Sequence, residues 1–230
     1  MGVLVGPPWI LQDPNTNAWV GPSEDIAVAV AKALGVKLNN VNLGNGEQIP
    51  AIQSGRLDMS VVPFFATPAR LAVVGMTKWT SGGLCFVALK SNSKVNSLSD
   101  LNNSNVKIGN FVSGGQLQLT QSTYPLAQEV TRAANPGENA MFPEVESSAV
   151  DVAVIDASFY YAVQARFPDM KTIPTDCFTN PALSTPIAVA YPKGDAGLAS
   201  FVGQTISDIQ PSVNTDLAKY ADPKYLGLVP

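Results

Sequence analysis

The sequence predicts an α/β fold of two similar lobes with mostly parallel sheets. Three observations lead there. Short apolar runs of strand length alternate with segments of helical apolar spacing along the whole chain. A unit of strand, helix, strand and turn occurs twice. The 230 residues are 46% hydrophobic and 14% charged, which suffices for a sizeable core and is too apolar for a disordered chain.

The elements follow in order. Val3-Leu4-Val5 reads as a buried strand stopped at Gly6-Pro7-Pro8, with Trp9 at its exit. Gln12 to Asn17 is a polar turn. Pro22 to Leu34 is the strongest helix: Pro22 suits its first turn, and Glu24 and Asp25 sit at the positive end of its dipole. Ile26, Val30, Ala33 and Leu34 recur at helical spacing, and Gly35 supplies the stop. Val36 to Leu43 has a partly alternating, strand-like pattern. Gly46 to Gln53 is a short helix closed by Gly55. Met59 to Val62 and Leu71 to Val74 read as strands.

Gly83 to Leu89 is an apolar strand, Leu98 to Leu101 a short helix and Val106 to Gly109 a strand. Ser113-Gly114-Gly115 opens a helix running to about Ser122. Pro143 to Ser148 is a short helix, with its proline tolerated only in the first turn. Val152 to Ile155 is a strand and Ala157 to Arg166 a helix bearing Tyr160 and Tyr161. Pro186 to Ala190 is a strand and Ala196 to Ile209 a long helix. The lobes are expected to meet at crossing strands near residues 83–90 and 184–191.

Composition excludes several chemistries. Histidine is absent, so a Ser-His-Asp triad, a Cys-His pair and a histidine zinc site are all impossible. The net charge is −4 with no basic run, which argues against nucleic acid as a partner. No apolar stretch has the length of a membrane helix. No signal peptide is evident; Met1-Gly2 opening straight into Val3-Leu4-Val5 looks like a start placed on a trimmed mature chain. Cys85 and Cys177 match no metal spacing. They read either as two buried free thiols or as a disulfide closing a long loop, worth about 4–5 kcal/mol by chain entropy.

Two charged residues stand out, each just past a buried strand. Arg70 offers a rigid fork that matches a carboxylate bidentately; the alternative is a surface or core-edge salt bridge. Asp156 follows Val152 to Ile155 and opens a helix, where it can face a ligand, cap the helix, or do both. A lone cation and a lone anion so placed suggest two halves that close on a small charged molecule. Gly114 and Gly115 at a helix start leave backbone N–H groups open to an anion, or serve an ordinary turn; Gln116 follows them. Trp9, Phe64, Phe65 and Phe111 each follow or end a strand and read either as walls of a binding site or as core. Phe64 and Phe65 are adjacent, so in extended chain no more than one faces a ligand.

Three motifs follow in order: Gly21-Pro22-Ser23-Glu24-Asp25-Ile26-Ala27, then Ile49 to Asp58 with its Ser54-Gly55-Arg56-Leu57-Asp58, then Thr67-Pro68-Ala69-Arg70. In order and spacing they resemble the family 3 extracellular solute-binding proteins, the amino-acid type of periplasmic binding protein. Leu98-Ser99-Asp100-Leu101 before Val106 to Gly109, then Val150 to Asp156 and Pro186 to Gly194, extend it over nearly the whole chain.

The resemblance implies the type II fold: lobe 1 from residues 1–85 and 187–230, lobe 2 from 86–186, two hinge strands and a ligand cleft. It implies a periplasmic monomer without cofactor or metal that hands its ligand to an ABC-transporter permease and is not an enzyme. Arg70 would hold the ligand carboxylate and Asp156 its ammonium, with Trp9, Phe64, Phe65, Phe111, Gly114, Gly115 and Gln116 around them. The chain departs from the pattern at Val62, Pro63, Phe64 and Phe65, where hydroxyl side chains are usual, and at Gly114 and Gly115. That favours a bulkier or modified zwitterion over a small polar amino acid. The alternative is an enzyme resembling cyclohexadienyl dehydratases on the same fold, for which a positioned acid is needed.

Overall fold

The computed structural model describes residues 1–13, 15–112, 115–133 and 139–226. In chain order the elements are β1 (Gly2–Val3), β2 (Leu11–Gln12), β3 (Trp19–Val20), α1 (Pro22–Leu34), β4 (Val41–Asn42), α2 (Asn45–Gln53), β5 (Ser60–Phe65) and α3 (Pro68–Val73). They continue with β6 (Gly75–Leu89), β7 (Lys107–Phe111), α4 (Gly115–Thr123), β8 (Gln128–Arg132), α5 (Phe142–Glu146), β9 (Val152–Asp156) and α6 (Tyr160–Arg166). The last are β10 (Met170–Ile173), β11 (Leu183–Tyr191), α7 (Ala196–Tyr220) and α8 (Pro223–Leu226). The fold is α/β. The chain forms two compact units, Met1–Ser81 with Pro186–Pro230 and Gly82–Thr185. β6 carries the chain out of the first unit and β11 brings it back.

In the first unit β1 pairs in parallel with both β4 and β5, setting Gly2 opposite Val41 and Ser60. β11 runs antiparallel to β5, with Ile187 opposite Phe65 and Ala188 opposite Phe64. Helix α1 packs on α7 and on β5. Its buried face holds Ile26, Ala27, Val30 and Ala31, the stripe its sequence spacing demands. Its start is set by Gly21, whose φ is +115° and where any Cβ would come within 2.8 Å of the Trp9 carbonyl oxygen. Its end is set by Gly35 at φ +65°, with the N–H of Val36 returning to the Ala31 carbonyl.

The second unit holds a sheet in which β7 lies between β8 and β9, parallel to both. β9 runs antiparallel to β6, and β10 pairs with β6 on its other edge. Leu84, Phe86, Ile108, Val152 and Ile155 are fully buried in its core. Cys85 and Cys177, read as free thiols or a pair, form a disulfide with Cα atoms 5.9 Å apart. It ties β6 to the connection between β10 and β11, and both cysteines are fully buried.

Several elements differ from the sequence expectation, each for a physical reason. The strand expected at Leu71 to Val74 is the end of α3: Thr67 accepts the N–H of Arg70 and Pro68 takes the first helical position, so capping overrides the β-preference of a short apolar run. The strands β2 and β3 flanking the expected polar turn pair as a hairpin, with Leu11 opposite Val20 and Gln12 opposite Trp19. Of Val36 to Leu43 only Val41–Asn42 pairs. β8 has the polar sequence Gln-Glu-Val-Thr-Arg because it is an edge strand, paired only to β7. β10 was not apparent, since four residues leave too short a pattern. α7 runs on to Tyr220 through Pro211.

Removing the disulfide should weaken the second unit strongly. It closes a separation of 92 residues, for which chain entropy gives about 4–5 kcal/mol. The double variant Cys85→Ser, Cys177→Ser should show that loss in urea unfolding followed by near-ultraviolet circular dichroism. An unchanged midpoint would contradict it.

Candidate functional site

In the first unit parallel pairing brings two connections to one edge of the sheet. The chain leaves β1 through Gly6 to Ile10 and leaves β5 through Ala66 and Thr67, both at the carboxyl ends of their strands. The β5 exit carries Arg70. Thr67, buried at the head of α3, accepts the Arg70 backbone N–H at 3.4 Å. The guanidinium Nη1 donates to the Phe65 carbonyl at 3.1 Å, and the group lies over the Phe64 ring, 5.0 Å from its centroid. Burial lowers its pKa to about 10. No carboxylate of the same unit pairs with it among the described residues.

Phe64 and Phe65 are both buried, on opposite faces of β5. Phe64 belongs to a core cluster with Ala51, Ile52, Leu57, Val62 and Val74, so it serves as the floor under Arg70. Trp9 sits at the β1 exit. Its N–H donates to the Gly6 carbonyl, and its own carbonyl accepts the N–H of Ser23 at the start of α1. Its ring meets Trp79 edge to face at 5.8 Å. Trp79, on β6, was not singled out from sequence; a lone tryptophan within a strand carries no motif.

The second unit repeats the arrangement. β7 and β9 are parallel neighbours, with Ile108 opposite Val152 and Gly109 opposite Ala153. Their carboxyl ends therefore share one sheet edge. Phe111 ends β7, buried at 3% exposure. Gly115 is the first residue of α4 and Gln116, largely buried, the second. Gly114 lies outside the described residues. Asp156 ends β9 opposite Leu84 of β6. Its carboxylate accepts the Ser158 N–H at 2.8 Å and so caps the helical turn Ala157–Phe159. Burial raises its pKa, against the opposing effect of the Ser158 hydrogen bonds. Tyr160 donates its hydroxyl to the Thr175 carbonyl, and Tyr161 packs on Phe178 beside the disulfide.

Each unit thus gathers its sequence-predicted residues at the carboxyl ends of its parallel strands. The first gathers Trp9, Phe65 and Arg70; the second gathers Phe111, Gly115, Gln116 and Asp156. Among the described residues no group of three or more acidic or cysteine side chains is placed to hold a metal ion. No helix among them is long and apolar enough to cross a membrane.

The fold has many counterparts among solved structures. A binding component of an ABC transporter from Wolinella succinogenes, complexed with lysine, matches with TM-score 0.76 at 21% identity, covering 98% of each chain. An amino-acid ABC transporter substrate-binding protein from Streptococcus pneumoniae, bound to L-arginine, matches with TM-score 0.73 at 20% identity, covering 100% of this chain and 97% of the other. An ancestral amino-acid-binding protein, a precursor of cyclohexadienyl dehydratase, matches with TM-score 0.73 at 24% identity over 96% of this chain and 95% of the other. At these identities the likeness establishes the fold, that of the periplasmic binding proteins. No curated protein sequence matches the chain. The sequence model of the bacterial extracellular solute-binding proteins, family 3, matches residues 1–220. The chain belongs to the family 3 extracellular solute-binding proteins.

Proposed function

We propose that this solute-binding protein captures an amino acid or related zwitterion and delivers it to an ABC-transporter permease. The observation that carries the reading is Arg70. Its guanidinium is desolvated and held over Phe64 by the Phe65 carbonyl, yet among the described residues no carboxylate of its own unit compensates it. A largely desolvated cation with no carboxylate of its own unit beside it among the described residues is stabilised by an incoming anion. A ligand carboxylate fits the planar fork.

The ligand ammonium is assigned to Asp156, which its capping bond holds in one orientation. Trp9, Phe65 and Phe111 supply apolar walls, Phe64 is the floor under Arg70, and Gly115 and Gln116 line the approach. A ligand held by both lobes favours their closed arrangement, so binding and closure are linked. The protein acts as a monomer in the periplasm and needs no cofactor. The arginine- and lysine-bound structures of similar fold support the amino-acid class. The relative tied to cyclohexadienyl dehydratase is itself an amino-acid-binding protein, so it favours binding over catalysis.

A thermal-shift screen over amino acids, opines, betaines and aromatic acids should find a ligand that raises the melting temperature by mass action. For that ligand Arg70→Ala should lose roughly 100-fold or more in calorimetric affinity. Unchanged affinity would overturn the assignment, and turnover of cyclohexadienyl substrates would overturn the binding role. The unliganded Arg70→Met variant should melt no lower than wild type, because it removes a desolvated charge that no carboxylate of its unit offsets among the described residues and keeps an apolar side chain over Phe64. Affinity should fall as pH drops through the titration of Asp156, and at higher pH than for an ordinary aspartate, since burial raises its pKa and only the ionised form pairs with an ammonium. A pH-independent affinity would exclude Asp156 from that role.

A further inference from the structure

The second unit contains a buried polar cluster that the binding role does not use. Asn110 on β7, Thr120 on α4 and Glu129 on β8 meet where α4 packs on the sheet. Asn110 and Thr120 are almost wholly inaccessible, at 1% and 0% exposure. The Asn110 Nδ2 donates to the Thr120 Oγ1 at 2.9 Å, while the Asn110 Oδ1 accepts the N–H of Phe111. The Thr120 Oγ1 also lies 3.0 Å from the Leu117 carbonyl and 2.6 Å from the Glu129 Oε1. The Glu129 Oε2 is buried and has no hydrogen-bond partner among the described residues.

A count of protons decides the state of this cluster. A threonine hydroxyl has one proton and two lone pairs. Asn110 fills one lone pair. With Glu129 ionised, the Leu117 carbonyl and the Glu129 Oε1 compete for a single proton, and a share of the negative charge rests on an unpaired buried oxygen. With Glu129 protonated on Oε1, its O–H donates into the second lone pair and the hydroxyl proton goes to Leu117. All three contacts are then made, and Oε2 is left as a neutral carbonyl oxygen, far less costly to bury without a partner.

We infer that Glu129 is a neutral carboxylic acid in the folded protein, and that its proton forms a latch clamping α4 to the sheet through Thr120. The two-proton path runs from Glu129 to Thr120 to the Leu117 carbonyl, joining an edge strand to the helix. Ionisation breaks one link of it and loosens the clamp.

Among the described residues no neighbouring charge sets this behaviour. α4 carries no charged residue. On β7 the one charged residue is Lys107, whose backbone N–H is held by Asp151. On β8 the other is Arg132, which pairs with Glu144. Tyr124, just past α4, stacks edge to face with Phe86. The causes that act on Glu129 are burial, which raises its pKa, and the weaker opposing effect of the nearby Thr120 and Asn110 side chains. For an acid so raised, the folded state binds the proton more tightly than the unfolded chain. The stability it contributes is full below the unfolded pKa and is lost as pH rises through the folded one.

The inference stands apart from the ligand assignment, and its test needs no ligand. In whole protein, wild type should lose melting temperature relative to Glu129→Gln as pH rises above the ordinary glutamate range, because glutamine donates to Thr120 and cannot ionise. The two should converge in acid. Parallel curves would overturn the latch. A second measurement uses wild type alone: the side-chain carbonyl carbon of Glu129, followed by NMR, should titrate at higher pH than a glutamate in the unfolded chain. Titration at the unfolded value would overturn the inference even if the glutamine variant failed to fold.

Discussion

Parallel pairing of β5 on β1 and of β9 on β7 is the constraint on which the site depends. A parallel partner must be reached by a crossover, so every strand of the set ends at the same edge of its sheet. Whatever residues follow those strands are gathered there without further design. In the first unit they are the Trp9 connection and Thr67 to Arg70. In the second they are the start of α4 and Asp156. Side chains far apart in sequence thus share a location because the backbone hydrogen bonds leave the chain no other exit.

Within that frame, local capping chemistry sets orientation. Thr67 caps α3 and thereby holds Arg70 in the first turn, with the Phe65 carbonyl and the Phe64 ring receiving the guanidinium. Asp156 caps the turn that follows β9 through the Ser158 N–H. In both cases a group suited to ligand chemistry is also a structural cap or hangs from one. The two roles are compatible, since a carboxylate has two oxygens and a guanidinium five N–H donors. Burial opposes the charge on each group: it lowers the pKa of Arg70 and raises that of Asp156. Charges held under such a penalty are what a binding site needs, because an opposite charge on the ligand relieves it.

Legibility from sequence tracked the length and specificity of each pattern. α1 was readable from end to end, because its stripe, its proline and both flanking glycines agreed. Arg70 and Asp156 were readable as candidates from their places after apolar strands. The helical state of Leu71 to Val73 was misread, because three apolar residues carry no period and the decision lay with Thr67 and Pro68 before them. β8 was missed because an edge strand need not be apolar. Trp79 beside Trp9, and Glu129 beneath α4, left no mark in sequence at all; each matters only through a neighbour distant along the chain.

The sequence by itself determined the alternation of strands and helices, the absence of any histidine chemistry, and the two charged residues worth attention. Those properties depend on residue type and short-range order, which the chain carries with it. Tertiary structure alone decided that Cys85 and Cys177 are joined, that Phe64 is the floor under Arg70 rather than an exposed wall, and that a carboxyl group is buried against Thr120 and Asn110. These are matters of distance and solvent access. A thiol, a ring or a carboxyl takes its state from the groups that folding brings to it.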